Sequence, residues 1–370
     1  MARFFDSNPT VPSYRRYAFS GHARKFSLDD NNQKPHRLKN VSEHILICGL
    51  GSIGRRHLRH FRSLGVSRID AYRTGNATLP DKDQMPPDFV FSELSEALAQ
   101  QPSAVIIANP TVLHSQTALA AAQAGCHLLI EKPLTDDLQS CSELLHEVRS
   151  RKLIASIAQN LRFHPSLMTI RKWVQCGNPL GEVLTARAHC GAYLPDWHPW
   201  EDYRNSYAAK TDLGGGAALT NIHEIDYILW MMGPAEDYFS VRMGKQPLQT
   251  KVDEATAIVI KHRSGAISTI TLSLAQRPPS RTLDLSFTKG TLTLDLLSGK
   301  WTAHDVDGKV IAQSCPPEDF TIDCTYRDQA ARFLQSVRGD CGPATTLEEG
   351  VAAVRIALSA KERTRGESAI

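Results

Sequence analysis

The sequence predicts a two-domain protein in which an α/β domain is followed by an α+β domain. Three observations lead to this expectation. A glycine-rich turn, Gly49 to Gly54, separates an apolar run from a helical pattern, which indicates a strand, a tight turn and a helix. Apolar runs and helical patterns then alternate as far as residue 160, as in a parallel, doubly wound sheet. Beyond residue 180, β-branched runs separated by turn residues indicate a mostly antiparallel, open-faced sheet.

We expect three segments in this chain of 370 residues, which is long enough to bury two cores. Residues 1–40 are polar and basic without a sustained period, so they are expected to form a flexible N-terminal extension. Residues 41–160 form the first domain, with predicted strands at Ile45–Cys48, Arg68–Tyr72, Ala104–Ala108, Leu128–Ile130 and Ile154–Ala158. Residues 161–370 form the second domain and end in helices, with predicted strands at Val183–Ala188, Thr256–Ile260, Ile267–Leu274, Leu283–Phe287 and Thr291–Leu296.

The glycine turn matches the GxGxxG fingerprint of dinucleotide binding, in the strand–turn–helix context that the fingerprint requires. The first glycine permits the tight turn, the second lets the backbone approach a pyrophosphate, and the third lets the helix pack closely on the strand. The phosphates are then expected at the N-terminus of the helix. We therefore predict a Rossmann dinucleotide-binding domain whose cofactor contacts include Gly49, Gly51, Ser52, Ile53 and Gly54.

The residue that selects between NAD and NADP is expected after the second strand. Many NAD-binding sheets present an acid there to the ribose 2′-hydroxyl, whereas this chain has Arg73 and Thr74, and an arginine suits a 2′-phosphate. Asp70 lies three residues earlier and, by strand alternation, is expected on the opposite face from Arg73. NADP is therefore favoured over NAD. The alternative is that Arg73 only stacks on the adenine and that both cofactors bind.

Composition and charge point to small molecules as partners. The formal net charge is +3, with 42 basic against 39 acidic residues, which gives no electrostatic case for nucleic acid or a membrane surface. The eight cysteines form no CxxC pair, and we expect free thiols, a cytoplasmic protein and no metal site. No stretch approaches the roughly 20 apolar residues of a membrane span.

A lysine ends the fourth predicted strand of the first domain. The run His127-Leu128-Leu129-Ile130-Glu131-Lys132-Pro133 is an apolar strand pattern that stops abruptly at an acid, a lysine and a proline. In an open α/β sheet the carboxyl ends of the strands form the ligand crevice. Lys132 is therefore expected to face the reaction rather than bulk water.

Four motifs in order resemble the Gfo/Idh/MocA oxidoreductase family, from Ile45 to about Ser368. They are GLGSIGRRH, ANPTVLH, AGCHLLIEKP and GGGAALTNIHEID. The resemblance implies hydride transfer at a sugar, inositol or related carbinol, with Lys132 and His223 as catalytic residues. It also implies that the second and third motifs line the cofactor site, through Asn109, Pro110, Thr111, His114, Glu131 and Lys132.

The chemistry of Lys132 and His223 agrees with this implication. Oxidation of a secondary alcohol needs a group that takes the hydroxyl proton and a cation that stabilises the developing alkoxide. His223 can exchange the proton near neutral pH, and Lys132 can polarise the oxygen. The alternative for His223 is a core histidine paired with Asp226 one turn along its helix.

The chain departs from the family pattern just before His223. Relatives commonly carry an aspartate three or four residues before this histidine, where the chain has Leu219 and Thr220. The catalytic group is then reduced to Lys132 and His223, unless Thr220 or Asn221 orients the imidazole.

Residues 193–204 are rich in aromatic and charged side chains and are expected to overhang the nicotinamide pocket. Indole faces pack against sugar C–H surfaces, and charged groups satisfy hydroxyls or phosphate. The predicted substrate contacts are Arg162, Tyr193, Asp196, Trp197, His198, Trp200, Arg204, Thr220 and Asn221. The alternative is a surface loop held by prolines and a buried tryptophan.

This loop and the run Gln159 to Pro165 resemble the family branch of bacterial capsule and lipopolysaccharide sugar pathways. That resemblance implies a nucleotide sugar, oxidised at C3. An NAD-assisted glycosidase and a cofactor-binding regulatory protein that has lost turnover remain as alternatives. We also expect a homodimer through open sheet faces, or a homotetramer of such dimers, because exposure of an apolar face is costly.

Overall fold

The computed structural model describes residues 43–74, 85–197, 199 and 201–362. The predicted N-terminal extension therefore lies outside the described residues, as do His198 and Trp200 of the predicted substrate contacts.

The first domain is built on a six-stranded parallel sheet. Its strands are β1 His44–Cys48, β2 Arg68–Tyr72, β3 Val90–Phe91, β4 Ala104–Ile107, β5 His127–Glu131 and β6 Ala155–Ala158. Its helices are α1 Ser52–Ser63, α2 Leu94–Ala99, α3 His114–Gln123 and α4 Cys141–Ser150. The strand order β3-β2-β1-β4-β5-β6 reverses direction at β1. The carboxyl ends of β1 and β4 therefore frame the crevice in which such sheets bind ligands.

Continuous burial explains why the first-domain strands are readable from the sequence. Four consecutive residues of β1, Ile45 to Cys48, are completely buried, because helices cover both faces of a parallel sheet. All five predicted strands are present, and β3, a two-residue strand at the sheet edge, was not predicted.

The second domain is built on an eight-stranded sheet of order β14-β13-β12-β11-β7-β10-β9-β8. These strands are β7 Val183–Tyr193, β8 Ala235–Arg242, β9 Ala255–His262, β10 Ile267–Ser273, β11 Ala275–Phe287, β12 Gly290–Asp295, β13 Lys300–Asp305 and β14 Val310–Ser314. Among the described strands of this sheet, every pair is antiparallel except β7 with β10. The expected mostly antiparallel sheet is confirmed, although β8, β13 and β14 were not predicted.

Helices cover one face of this second sheet. They are α5 Pro165–Cys176, α6 Ala217–Thr220, α7 His223–Met232 and α9 Leu347–Glu362, whereas α8 Ile322–Val337 lies elsewhere. Short 3-10 turns connect them at Asn160–Phe163, Leu194–Asp196, Tyr203–Asn205, Tyr207–Ala209 and Thr211–Leu213, with one more in the first domain at Thr111–Leu113. Ile258 and Ile270 are buried beneath this helical layer, whereas the neighbouring Val259 and Thr269 are exposed on the open face. The period of two therefore separates a covered face from an open one.

Helix α8 packs on the first domain, although it follows the second sheet in the chain. Its residues Phe333 and Leu334 share a buried cluster with Ile45 of β1 and Phe61 of α1. Arg338, just after α8, donates to the carboxylate of Glu43 at 2.7 Å. A helix that follows the second sheet in the chain therefore completes the core of the first domain. Among the described helices, none has the length and apolarity needed to cross a bilayer.

Candidate functional site

The glycine turn between β1 and α1 leaves space for a ligand only at its centre. Gly49 has φ +98°, and a Cβ there would lie 2.7 Å from the carbonyl oxygen of Ala108. A Cβ on Gly54 would lie 1.9 Å from the carbonyl oxygen of Gly49. Gly51, in contrast, has no described atom within 4 Å of its Cβ position, and no side chain of the described residues caps the N-terminus of α1 that it precedes. The open position and the uncapped N–H groups, with Ser52 and Ile53 in the first turn, fit a dinucleotide pyrophosphate.

The end of β2 keeps its acid away from this turn. The buried carboxylate of Asp70 is 2.8 Å from Nε2 of His44 and 2.8 Å from Nη2 of Arg68. Arg73 is half-buried just beyond β2, and its backbone N–H donates to the carbonyl of Phe91 at 3.0 Å. Thr74 is exposed. Arg73 and Thr74 thus follow the strand next to the glycine turn, where an adenosine ribose is bound in such sheets.

The turn after β4 is fastened by a buried histidine. Nε2 of His114 is 2.9 Å from the carbonyl oxygen of Asn109, and Nδ1 is 2.8 Å from that of Pro133. Burial lowers the pKa of His114. Pro110 is exposed at the start of this turn, and Thr111 is buried against Gly214, whose Cβ position lies 3.0 Å from the Thr111 side chain. His114, predicted to contact the cofactor, therefore holds the loops after β4 and β5 together.

Glu131, another predicted cofactor contact, is engaged within the protein. Its Oε1 atom accepts a hydrogen bond from Nε2 of His57 on α1 at 2.7 Å, and its Oε2 accepts from the backbone N–H of Lys132 at 3.2 Å. Both side chains are buried. The pair fixes helix α1 to the carboxyl end of β5.

Lys132 connects the two domains at the site. Its Nζ atom donates to the carbonyl oxygen of Thr220 at 2.9 Å, at the last residue of α6. Helix α6 is itself capped by Asp253, whose Oδ2 atom accepts from the N–H of Ala218 at 2.9 Å. The lysine that the sequence placed at the ligand crevice therefore meets the segment that carries His223.

His223 begins α7 and is 9% exposed. Its Nδ1 atom is 2.7 Å from Oε1 of Gln159, at the end of β6. Because an amide oxygen only accepts, Nδ1 donates and Nε2 keeps its lone pair. Burial, followed by the charges of Lys132 and Arg281, lowers the pKa of His223 well below its usual value. The imidazole is therefore neutral at ordinary pH, with Nε2 as its proton-accepting atom.

Gln159 was not among the predicted site residues. The available signal was its position directly after the last parallel strand, at the sheet edge where ligands bind. Its partner His223 is 64 residues away in the chain, so the contact itself could not be read from the sequence.

Buried ion pairs surround His223. Arg281 of β11 donates from Nε and Nη2 to the two carboxylate oxygens of Glu224, at 2.6 and 3.0 Å. Burial alone would lower the pKa of Arg281, but the Glu224 carboxylate outweighs burial and raises it. Asp226 is held by Arg162, so the alternative in which His223 pairs with Asp226 is not what the structure shows.

Arg162, predicted to bind substrate, is committed to other protein groups. Its guanidinium donates to both carboxylate oxygens of Asp226, at 2.8 and 2.9 Å, and to Glu349 and the carbonyl of Ala344, each at 2.9 Å. The side chain is 4% exposed. Arg162 therefore joins α7 to the start of α9, and four of its five N–H groups are used within the protein.

The aromatic segment after β7 is fastened by its own ion pairs. Tyr193 is the last residue of β7, and the guanidinium of Arg277 lies 3.7 Å from its ring centroid. The same guanidinium donates from Nε to Asp196 at 2.8 Å. Trp197 is partly buried against the main core. Asp196 was predicted as a sugar ligand, but here its carboxylate neutralises Arg277, a residue that the sequence did not single out.

Arg204, in the same segment, contacts the two residues that precede it in the chain. It pairs with Asp202 at 3.4 Å and lies 4.8 Å from the ring centroid of Tyr203, and it is 54% exposed. Neither contact connects Arg204 to Lys132 or His223. Arg204 therefore remains a predicted contact only for a substrate large enough to reach the aromatic segment, residues 193–204.

Thr220 and Asn221 bring unused polar atoms to the site. Both residues are buried, and neither Oγ1 of Thr220 nor Nδ2 of Asn221 has a hydrogen-bond partner among the described residues. Oδ1 of Asn221 lies 3.7 Å from the Cys190 thiol. Because buried polar groups are normally paired, these two atoms, close in sequence to His223, are candidates for hydrogen bonding to a ligand hydroxyl.

In the part of the chain that the structure describes, no three His, Cys, Asp or Glu residues are grouped to hold a metal.

Two family models match the chain. Residues 44–159 match "Oxidoreductase family, NAD-binding Rossmann fold", and residues 167–293 match "GFO/IDH/MocA C-terminal domain". A levoglucosan dehydrogenase of Pseudarthrobacter phenanthrenivorans is 29% identical over 160 residues, which are 42% of this chain and 40% of that protein. A UDP-N-acetylglucosamine 3-dehydrogenase of Acidithiobacillus ferrooxidans is 24% identical over 293 residues, covering 78% of this chain and 85% of that protein.

Solved structures are similar over most of the chain. The WlbA dehydrogenase of Bordetella pertussis, in complex with NADH and UDP-GlcNAcA, superposes with a TM-score of 0.72 at 19% identity, over 87% of this chain and 97% of that one. A levoglucosan dehydrogenase in complex with NADH and levoglucosan gives 0.74 at 17% identity, over 86% and 96%. At such identities the likeness establishes the fold.

Proposed function

The chain belongs to the Gfo/Idh/MocA family and is an NAD(P)-dependent sugar oxidoreductase, and from this premise we propose that its substrate is a nucleotide sugar, oxidised at the C3 carbinol. The observation that carries the proposal is the hydrogen bond from Lys132 to the segment that leads into His223. The lysine ends β5 of the first domain, the histidine begins α7 of the second, and the carbonyl of Thr220 joins the two segments.

The residues of the glycine turn and the N-terminus of α1 would hold the dinucleotide. A nicotinamide bound there supplies the hydride acceptor for oxidation and the hydride donor for reduction. The protein supplies the acid–base chemistry. In oxidation, the substrate hydroxyl gives its proton to Nε2 of His223 while the carbinol carbon gives up a hydride, and the C–O bond becomes a carbonyl. Lys132 stabilises the negative charge that develops on the oxygen.

The choice of a nucleotide sugar rests on two comparisons. One relative that aligns over most of the chain acts, by its name, on UDP-N-acetylglucosamine at C3, and the WlbA structure contains a UDP-sugar. Buried Thr220 and Asn221 are suited to hydroxyls of the sugar ring.

NADP is the proposed cofactor, because Arg73 occupies the position after β2 and Asp70 is paired with Arg68 and His44.

A second copy of the chain is the proposed partner at the open face of the second sheet. On that face Val241, Val259 and Ile267 of three neighbouring strands are 52%, 42% and 47% exposed. A closed dimer through two such faces would bury these side chains.

Turnover with purified protein tests the reaction. NADP or NAD is mixed with UDP-N-acetylglucosamine, its uronic acid or levoglucosan, and the reduced-nicotinamide absorbance is followed. We expect steady formation of reduced cofactor with a UDP-sugar, about 10² to 10⁴ times slower in Lys132→Ala and His223→Ala, with cofactor affinity by fluorescence retained. Lys309→Ala, at an exposed turn, serves as the control and keeps full activity.

Other outcomes identify the alternatives. Release of the sugar without net reduction of the cofactor indicates a glycosidase. Cofactor binding without turnover on any substrate indicates a regulatory protein. Full activity in either variant would contradict the assignment of Lys132 and His223.

A further inference from the structure

We propose that Gln159 is a positioning residue that fixes His223 as the Nδ1–H tautomer. The inference rests on the proposed function, because it assigns the atom with which His223 takes the substrate proton. It goes beyond that function by naming a residue from a different element.

The hydrogen bond between Gln159 and His223 is held in place by the surrounding structure. Gln159 is 2% exposed, and its Oε1 atom is 2.7 Å from Nδ1 of His223. The backbone of Gln159 is held on both sides, since its N–H donates to Ile157 at 2.8 Å and its carbonyl accepts from the N–H of Arg162 at 3.0 Å. Arg162 in turn is locked by Asp226 and Glu349. The glutamine amide therefore has little freedom to turn away from the imidazole.

The residue type matters because an amide and a carboxylate act differently on an imidazole. Both accept a hydrogen bond from Nδ1–H, so both leave the Nε2 lone pair free. A carboxylate also stabilises the imidazolium, whereas a neutral amide does not. Gln159 therefore sets the tautomer while leaving the imidazole uncharged.

The charges that face His223 favour the neutral ring. Lys132 approaches from the end of β5, and Arg281 approaches from β11 with its charge shared by Glu224 of the same helix as His223. Asp226, one turn along α7, is neutralised by Arg162. Thr220, three residues before His223, has a hydroxyl with no partner among the described residues, so it does not orient the ring.

The consequence is a base with one available atom. Among the described residues no hydrogen bond engages Nε2 of His223, while Nδ1 is taken by Gln159. Nε2 is therefore the atom left for a substrate hydroxyl, with Thr220 Oγ1 and Asn221 Nδ2 as its polar neighbours in the chain.

The test measures the tautomer directly, by long-range ¹H–¹⁵N correlation spectra of histidine-labelled full-length protein. The His223 signals are identified by their loss in His223→Gln. We expect protonated Nδ1 and unprotonated Nε2 in the wild-type protein, and a shift toward protonated Nε2 or a mixture in Gln159→Met, which has similar size and no acceptor. Gln139→Met, at an exposed position, is the control and leaves the spectrum unchanged.

Kinetics provide the second readout. Gln159→Met is expected to lower kcat by roughly 10²-fold with KM nearly unchanged, since a wrong tautomer impairs proton transfer rather than binding. Gln159→Glu restores the acceptor, so kcat recovers at high pH, and the acid limb of the kcat/KM profile moves to higher pH by about 1 to 2 units.

Protonated Nε2 in the wild-type protein, or an unchanged tautomer in Gln159→Met, would overturn the proposal. An acid limb that does not move in folded Gln159→Glu would also overturn it. The spectra need no substrate, so failure to turn over a nucleotide sugar would refute the proposed function while leaving the tautomer result to stand or fall by itself.

Discussion

Acid is expected to destabilise the protein through His164, which closes the turn that carries Gln159. Nδ1 of His164 accepts a hydrogen bond from the N–H of Ser166 at 3.2 Å and caps α5, and its ring packs edge-on against Phe320 with centroids 5.0 Å apart. Burial, and then the charge of Arg281, lowers the pKa of His164 to about 4. Protonation would place a positive charge in this site and remove the cap.

The size of the effect follows from proton linkage. The unfolded chain titrates near 6.5 and the folded chain near 4, so the unfolded state binds more protons in this window and stability falls as the pH drops through it. Relative to a pH above both pKa values, the free energy of unfolding is lower by about 2 kcal/mol at about pH 5. The loss approaches about 3 kcal/mol below the pKa of the folded state.

The assay is urea unfolding followed by circular dichroism at about pH 8 and about pH 5, for wild type and His164→Asn. Asparagine is a good cap but does not titrate, so the variant is expected to be less stable at neutral pH through lost ring packing. Between the two pH values it loses about 2 kcal/mol less than wild type does. Other buried histidines, including His114 and His223, affect both proteins equally. Equal losses in the two proteins would refute the argument.

Two further predictions concern cofactor and assembly. Arg73→Asp is expected to weaken NADP(H) binding by about 1.5 to 3 kcal/mol, the contribution of a hydrogen bond to a charged group, and to leave NAD(H) binding unchanged. Fluorescence titration with each cofactor measures this difference. Equal losses for both cofactors would mean that Arg73 stacks on the adenine or only supports the fold. Light scattering at micromolar concentration is expected to give at least twice the chain mass of 40.9 kDa, and Val259→Lys on the open sheet face is expected to reduce it. A monomer mass for the wild-type protein would contradict the proposed dimer.

The parallel sheet could be predicted because its strands are buried on both faces and therefore read as apolar runs. The second sheet was harder, since strands such as β14 are short and exposed at the sheet edge. The proposed catalytic pair, Lys132 and His223, was identified from local motifs. Its supporting contacts could not, because they join residues far apart in the chain.

Charged side chains show this limit most clearly. Arg162, in the run Gln159 to Pro165, and Asp196, in the aromatic segment, were both predicted as substrate contacts. The structure instead pairs Arg162 with Asp226, 64 residues away, and Asp196 with Arg277, 81 residues away. A sequence shows which charges a segment carries, but the partner that neutralises each charge is set by the tertiary fold.

The return of α8 to the first domain affects the order in which the protein can be completed during synthesis. Phe333 and Leu334 fill the core beneath β1, and Arg338 pairs with Glu43 across 295 positions of the chain. The ribosome releases the dinucleotide-binding half first, but that half lacks part of its core until the last helices emerge. The core beneath β1 is therefore complete only after α8 has been synthesised, and until then the nascent first domain exposes an apolar surface.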